Sequence, residues 1–288
     1  MSRRPGREGG GVSVLLHIAD THFGTEQRPV VEALVALAAR QRPDLVVLAG
    51  DVTQRARPAQ FRAAKAFVER LGAPVLAVPG NHDIALFDPW ARLARPYARW
   101  AEVFGADLEP VHASAELLVV GVNTTRAWRH KHGEVSAAQI DRVAGLLAAA
   151  SPRQLRVVVV HQPAAVIRSR DRANLLRGHQ AALQAWSVAG ADLVLGGHIH
   201  LPYTLAPQGL ARRLWVLQAG TAVSSRTRAE VPNSVNIVRW NEPSGAHDTP
   251  APQGSAAGGS CLVEQWDFVR DERRFVRRAV TPVQPERS

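Results

Sequence analysis

The sequence has one cysteine, Cys261. No intramolecular disulfide can form, so a disulfide-stapled scaffold is excluded. Such cysteine usage fits a reducing compartment, and a cytoplasmic location is expected. No run approaches the roughly 20 apolar residues that a membrane span needs. The first apolar stretch, VSVLLHIAD, is broken by His17 and Asp20, so residues 1–11 read as a disordered basic leader and not as a secretion signal. No internal repeat is visible. Lysine is almost missing: Lys65 and Lys131 are the only two, and arginine carries nearly all of the net charge of +10. The arginines are scattered, without a long basic block. The charge therefore reads as compositional, and neither a membrane nor a nucleic-acid partner is expected. A positive field would still draw in an anionic substrate.

What is present suffices for a core. A hydrophobic fraction of 46% and a charged fraction of 21% over 288 residues are ordinary for a globular chain. Short apolar runs predict strands over 12–18, 44–49, 74–78, 116–122, 155–160 and 192–196. Helical patterns lie between them: 28–41, with Val31, Leu34, Val35 and Ala38 on one face; 59–72, ending at Gly72; a segment capped by Ser136; and 178–190. The alternation argues an α/β fold with a largely parallel central sheet. After residue 202, RRLWVLQAG, NSVNIVRW, CLVEQWDFV and RFVRRAV predict consecutive strands forming a second, more antiparallel sheet. Residues 241–260, rich in Pro, Gly and Ser, are expected to be a mobile insertion. The expected organisation is a single domain over 12–281, with a motif-bearing part at 13–202, C-terminal strands at 210–281 and a tail at 282–288.

The polar residues fall at strand ends. Asp20 and His22 follow the first strand and Asp51 follows the second. Asn81, His82 and Asp83 follow the third, His161 follows 155–160, and His198 and His200 follow 192–196. Ligands of open α/β sheets bind beyond the carboxyl ends of strands, so these side chains should converge. Alone, each reads as a cap or turn residue. Together, carboxylate, imidazole and amide donors without sulfur suit Mn, Fe, Zn or Co. Seven candidates, Asp20, His22, Asp51, Asn81, His161, His198 and His200, are too many for one ion and suit two sharing a bridging carboxylate. Gly50, Gly80, Gly196 and Gly197 precede the turns and permit tight bends.

DTH, GD, GNHD, H and GHIH, in this order, resemble the calcineurin-like metallophosphoesterase superfamily over residues 13–202. GDVTQRARPAQFRAAKAF, VPGNHDI and NTTRAW are most similar to its bacterial class III cyclic nucleotide phosphodiesterase group. The resemblance implies a four-layer α/β/β/α sandwich of two mixed sheets flanked by helices. It implies that Asp20, His22, Asp51 and His200 hold one metal, and that Asp51 bridges to a second held by Asn81, His161 and His198. Mn²⁺ and Fe²⁺ or Fe³⁺ are the expected ions, and Zn²⁺ suits the same donors. It further implies phosphodiester hydrolysis, with 3′,5′-cyclic nucleotides as candidate substrates, by attack of a hydroxide bridging the metals. His82 would face the phosphate and protonate the leaving oxygen, and Asp83 would orient His82. Gln162 departs from the second histidine many relatives carry.

Other assignments are weaker. Asn123 and Arg126 follow a strand and are candidate substrate contacts; the alternative is a surface loop. His130 and His132 read as solvated loop residues before substrate contacts, His17 as a core histidine or one that supports a ligand residue, and Trp90, Trp100 and Trp128 as core before base-stacking residues. A phosphomonoesterase, a repair-type nuclease and a non-catalytic metal-bound interaction module remain alternatives. The nuclease is disfavoured because little chain is left after residue 202 for a DNA-capping domain. The expected partner is a small phosphate ester, and homo-oligomerisation is compatible with the pattern.

Overall fold

Leu15 and Leu16 are neighbours in the first strand, yet they enter different cores. Side chains alternate across a strand, so a strand apolar at both parities must be covered on both faces. The computed structural model describes residues 12–85, 89–241 and 259–286. The expected leader 1–11, positions 242–258 of the expected insertion and positions 287–288 of the tail lie outside the described residues. In chain order the main elements are β1 (Ser13–Ile18), α1 (Arg28–Gln41), β2 (Leu45–Ala49), α2 (Pro58–Glu69), β3 (Val75–Val78), α3 (Pro89–Ala94), α4 (Ala98–Phe104), β4 (Val111–Ala113), β5 (Leu117–Gly121), α5 (Ala137–Ala148), β6 (Leu155–Val159), α6 (His179–Val188), β7 (Leu193–Gly196), β8 (Tyr203–Leu205), β9 (Trp215–Gln218), β10 (Ser234–Asn241), β11 (Ser260–Val269) and β12 (Arg274–Val283).

Two six-stranded sheets result, ordered β12-β11-β10-β1-β2-β3 and β4-β5-β6-β7-β9-β8. Three apolar clusters separate four layers. Leu15, Leu45, Val47, Val119, Val157, Leu195 and Trp240 fill the space between the sheets. Leu16, Val46 and Leu48 pack outward on Leu34 and Leu37 of α1 and Phe61 and Phe67 of α2. Val120, Val158 and Val194 pack outward on Val143 of α5 and Trp186 of α6. This is the α/β/β/α sandwich of two mixed sheets. Ser136 caps α5 as expected, its hydroxyl accepting from Gln139 N at 3.2 Å.

The partition between the sheets differs from the sequence-based expectation. Among the described residues there is no single central sheet followed by a separate C-terminal one. β1, β2 and β3 run parallel in one sheet, and β5, β6 and β7 run parallel in the other. The later strands divide: β9 joins β7 in parallel, while β10 pairs antiparallel with β1 and brings β11 and β12 with it. The physical reason is two-faced burial. Val235 and Ile237 of β10 enter the helix-side core, and Val238 and Trp240 enter the inter-sheet core. Beside β1, both faces of β10 are covered. Trp100 is buried as expected, but Trp90 and Trp128 are 83% and 72% exposed and pack in no core. Among the described residues, no helix is long and apolar enough to cross a membrane.

Candidate metal centre

The parallel strands β1, β2, β3, β6 and β7 each hand over to a polar turn at the carboxyl end. These turns are laced together through backbone hydrogen bonds. Asp20 N donates to Gly50 O at 3.1 Å, His22 N to Asp51 O at 3.0 Å and Gly197 N to His161 O at 2.9 Å. Side chains reinforce the lacing: His198 N donates to Asp20 Oδ2 at 2.9 Å and His82 N to Asp51 Oδ1 at 2.8 Å. The chain bends sharply to do this. Asp20, His22, Asp51, His198 and His200 all have positive φ, between 42° and 73°. Non-glycine residues in that region are strained by about 1–3 kcal/mol each and persist where surrounding structure holds them.

Two glycines make the approach possible. Gly50 has φ of +79°, and a Cβ there would collide with the His161 ring. A Cβ on Gly80 would collide with Asp51 N and Oδ1. Gly80→Ala is therefore expected to cost about 1–3 kcal/mol in overpacking, read as a lowered denaturation midpoint, and to reduce metal uptake by moving Asp51.

The side chains form two groups of potential ligands: Asp20, His22 and His200, and Asp51, His161 and His198. Within each group the ligand atoms lie within 4.8 Å of one another. Asp51 sits between the groups, with Oδ1 3.3 Å from His161 Nε2 and Oδ2 3.8 Å from His22 Nε2. Asn81 Oδ1 is 3.3 Å from His161 Nε2, beside the second group. All seven expected residues are thus brought together.

The donor chemistry fits cations. His161 Nδ1 lies 2.9 Å from Ala49 O, and His200 Nδ1 contacts Arg226 O. Each carbonyl is placed to accept a hydrogen bond from Nδ1–H, which turns Nε2 toward the centre as the ligand atom. His198 Nε2 is buried and has no hydrogen-bond partner among the described residues, an orphaned donor-acceptor atom that a metal would satisfy. Burial pushes His22 and His198 down to about 3, which keeps both imidazoles neutral. Burial opposes charge on Asp51 as well, but His161 and His82 outweigh it and hold the carboxyl well below its ordinary range. Burial likewise opposes a charged His161, yet Asp51 and Asp20 carry it up to about 9. Positive charge is favoured where these donors meet.

His82 lies outside both groups. Its Nδ1 is 2.9 Å from Gln54 O, and its ring lines a cavity of about 440 Å³ together with Asp51, Asn81, His198, His200 and Arg226. Asp83 is arranged differently from the expectation. Its carboxylate does not hold the His82 ring. It accepts from Val52 N, Thr53 N and Gly80 N at 3.0, 2.8 and 2.9 Å, and from Thr53 Oγ1 at 2.9 Å. Asp83 therefore clamps the turn after β2 to the turn after β3, and places His82 only through the backbone.

Asn123 and Arg126 do not line this cavity. Asn123 Oδ1 accepts from Thr125 N and Oγ1 at 3.0 and 2.6 Å, closing its own turn. Arg126 donates to Gln139 Oε1 at 2.8 Å, next to the cap of α5. Gln162 is buried, accepts from Thr124 Oγ1 at 2.6 Å and reaches Lys131 O at 3.4 Å. His130 and Lys131 line the cavity. His17 is a core histidine: Asn236 Nδ2 donates to its Nδ1 at 3.3 Å. Arg226 and Arg228 line the cavity and are not among the expected site residues, nor is Gln54, which touches Arg226 although it lies in the quoted GDVTQRARPAQFRAAKAF stretch. The RTR triplet after β9 was the available signal, but it belongs to none of the quoted motifs.

A two-sheet sandwich with paired nitrogen and oxygen donors at its strand ends defines a class of metal-centred proteins. The chain belongs to the calcineurin-like phosphoesterase family, whose model matches residues 13–202. It is similar to the cAMP/cGMP dual specificity phosphodiesterase MT0825 of Mycobacterium tuberculosis, 29% identical over 211 residues, covering 65% of this chain and 61% of that protein. It is also similar to a probable cyclic nucleotide phosphodiesterase of Rhodococcus erythropolis, 26% identical over 214 residues, covering 68% and 67%. The match to the first relative thus spans less than two thirds of its length. A dimetal phosphatase from Danio rerio shares the fold, with a TM-score of 0.65 at 13% identity over 95% of this chain and 99% of that one.

Proposed function

We propose that the chain is a dinuclear metal-dependent phosphodiesterase acting on small phosphate esters, with 3′,5′-cyclic nucleotides the first natural candidates. The observation that carries this reading is the pair of ligand groups meeting at Asp51, with His82 beside them in an open cavity. Asp20, His22, Asp51 and His200 would hold one ion, and Asp51, Asn81, His161 and His198 the other. Bound there, Mn²⁺, Fe²⁺, Fe³⁺ or Zn²⁺ would supply Lewis acidity and lower the pKa of water toward neutrality.

The rest falls to the chain. Ala49 and Arg226 carbonyls fix the ring orientation of His161 and His200. Asp83 keeps two turns in register, so His82 stays at the cavity wall. His82 Nε2, 3.3 Å from Arg226 Nη1 at the cavity wall, would donate a proton to the leaving oxygen. The two relatives named as cyclic nucleotide phosphodiesterases support the diester reading. Residues 12–283 would act as one unit, since β10–β12 complete the sheet of β1 and β12 runs two residues into the expected tail, where Val283 is buried opposite Cys261. The single buried thiol suits the cytoplasm.

The test is hydrolysis of bis(p-nitrophenyl) phosphate beside p-nitrophenyl phosphate, with chelated protein and then with added Mn²⁺. Metal-restored activity favouring the diester is expected, followed by hydrolysis of cAMP or cGMP. Activity on the monoester alone would replace this reading with a phosphatase.

A further inference from the structure

We propose that Arg226 is a substrate-contacting residue whose guanidinium donates charged hydrogen bonds to a non-bridging oxygen of the phosphoryl group in the cavity. The inference rests on the reading of this centre as a phosphoesterase site.

Three observations carry it. The first is position. Arg226 Nη1 lies 3.1 Å from Gln54 Oε1, 3.3 Å from His82 Nε2 and 3.5 Å from His22 Nδ1. It lines the same cavity as Asp51, Asn81 and His200. The side chain therefore spans from the first ligand group to the residue assigned to the leaving oxygen.

The second is charge. Arg228, two residues on, lines the cavity too, but its Nη2 is 2.9 Å from Asp171 Oδ1 and its charge is compensated. Arg226 has no carboxylate within ion-pair distance among the described residues; the atoms around its Nη1 belong to an amide and two imidazoles. A half-buried cation without a paired carboxylate is placed to receive an anion. A guanidinium is always charged and its planar fork matches phosphate oxygens.

The third is anchoring. Arg226 N donates to Ser224 Oγ at 3.2 Å, and its carbonyl accepts from Thr221 Oγ1 at 3.0 Å and from His200 Nδ1. The backbone is held on both sides of the Arg226 Cα, so the side chain leaves from a fixed point. The contact to His200 is made by the main chain. Truncating the side chain leaves it in place, which separates the two roles experimentally.

The experiment is calorimetric titration of inorganic phosphate and of orthovanadate into the Mn²⁺-loaded full chain, with metal content measured in parallel. Arg226→Ala is expected to keep its metal and to bind phosphate about 10- to 100-fold more weakly, as loss of a hydrogen bond to a charged group implies. Arg226→Lys, which keeps the charge without the fork, should recover part of the loss. The proposal is overturned if Arg226→Ala binds phosphate like the wild type, if affinity falls only together with metal content, or if the wild type takes up no phosphate. It fails separately from the proposed activity. A wild type inactive on diesters, with Arg226→Ala still losing phosphate affinity, would remove the activity and keep the contact. An active wild type with unchanged affinity in Arg226→Ala would do the reverse.

Discussion

Asp51→Asn is expected to deplete metal from both halves of the centre and to lower the rate by on the order of 10³-fold or more, equivalent to the several kcal/mol that Lewis-acid stabilisation supplies. The expectation follows from where the carboxylate stands. Oδ1 faces His161 at 3.3 Å and Oδ2 faces His22 at 3.8 Å, so each oxygen serves a different ligand group. Asn keeps one oxygen and presents an amide donor where the other acceptor was. It also removes one of the two buried negative charges that favour cations here. Asn is preferred to Ala for the test because Asp51 sits at φ of 49°, a conformation Asn tolerates, and because an amide oxygen can still accept from His82 N. Fold is thereby preserved while bridging is lost. Metal content by mass spectrometry and turnover of bis(p-nitrophenyl) phosphate are the readouts. Two equivalents of metal with a rate within tenfold of the wild type would remove Asp51 from the bridging position.

Much of this site was legible in the sequence, for a physical reason. A buried parallel strand is an apolar run, and its end is marked by the first polar residue. VLA at 47–49 followed by Gly50 and Asp51 announces both the strand and what its end presents. The same held for α1, whose observed span, Arg28–Gln41, is the predicted one. Sheet membership was not legible. β3 and β5 have similar apolar runs, yet they belong to different sheets. The parity of their side chains tells that both faces are buried but not against what. The partners of Asp83 and Asn123 were hidden for a related reason. A short polar side chain in a turn can satisfy its own backbone or reach outward. Asn123 does the former, while Asp83 reaches across to Val52 and Thr53. Arg226 was hidden by sequence distance: 144 residues separate it from His82, which its guanidinium touches.

His82→Ala is expected to separate chemistry from metal binding. The variant should retain its metal and lose about 10²- to 10⁴-fold in rate, the usual worth of a positioned general acid. Metal retention follows from geometry, because the His82 contribution to the ligand shell is its main-chain N–H, which donates to Asp51 Oδ1 at 2.8 Å. An alanine there keeps that donor, and Asp83 still clamps the turn on either side. What disappears is the ring held by Gln54 O at Nδ1, with Nε2 beside Arg226 at the cavity wall. The size of the loss should depend on the leaving group. A p-nitrophenolate departs without a proton, whereas the alkoxide of a ribose or other alkyl ester needs one. The deficit should therefore be largest on alkyl diesters such as cyclic nucleotides and smallest on bis(p-nitrophenyl) phosphate. Equal deficits on both would instead assign His82, beside Arg226, to holding the phosphoryl oxygens, because stabilising charge on the phosphoryl group helps every leaving group alike.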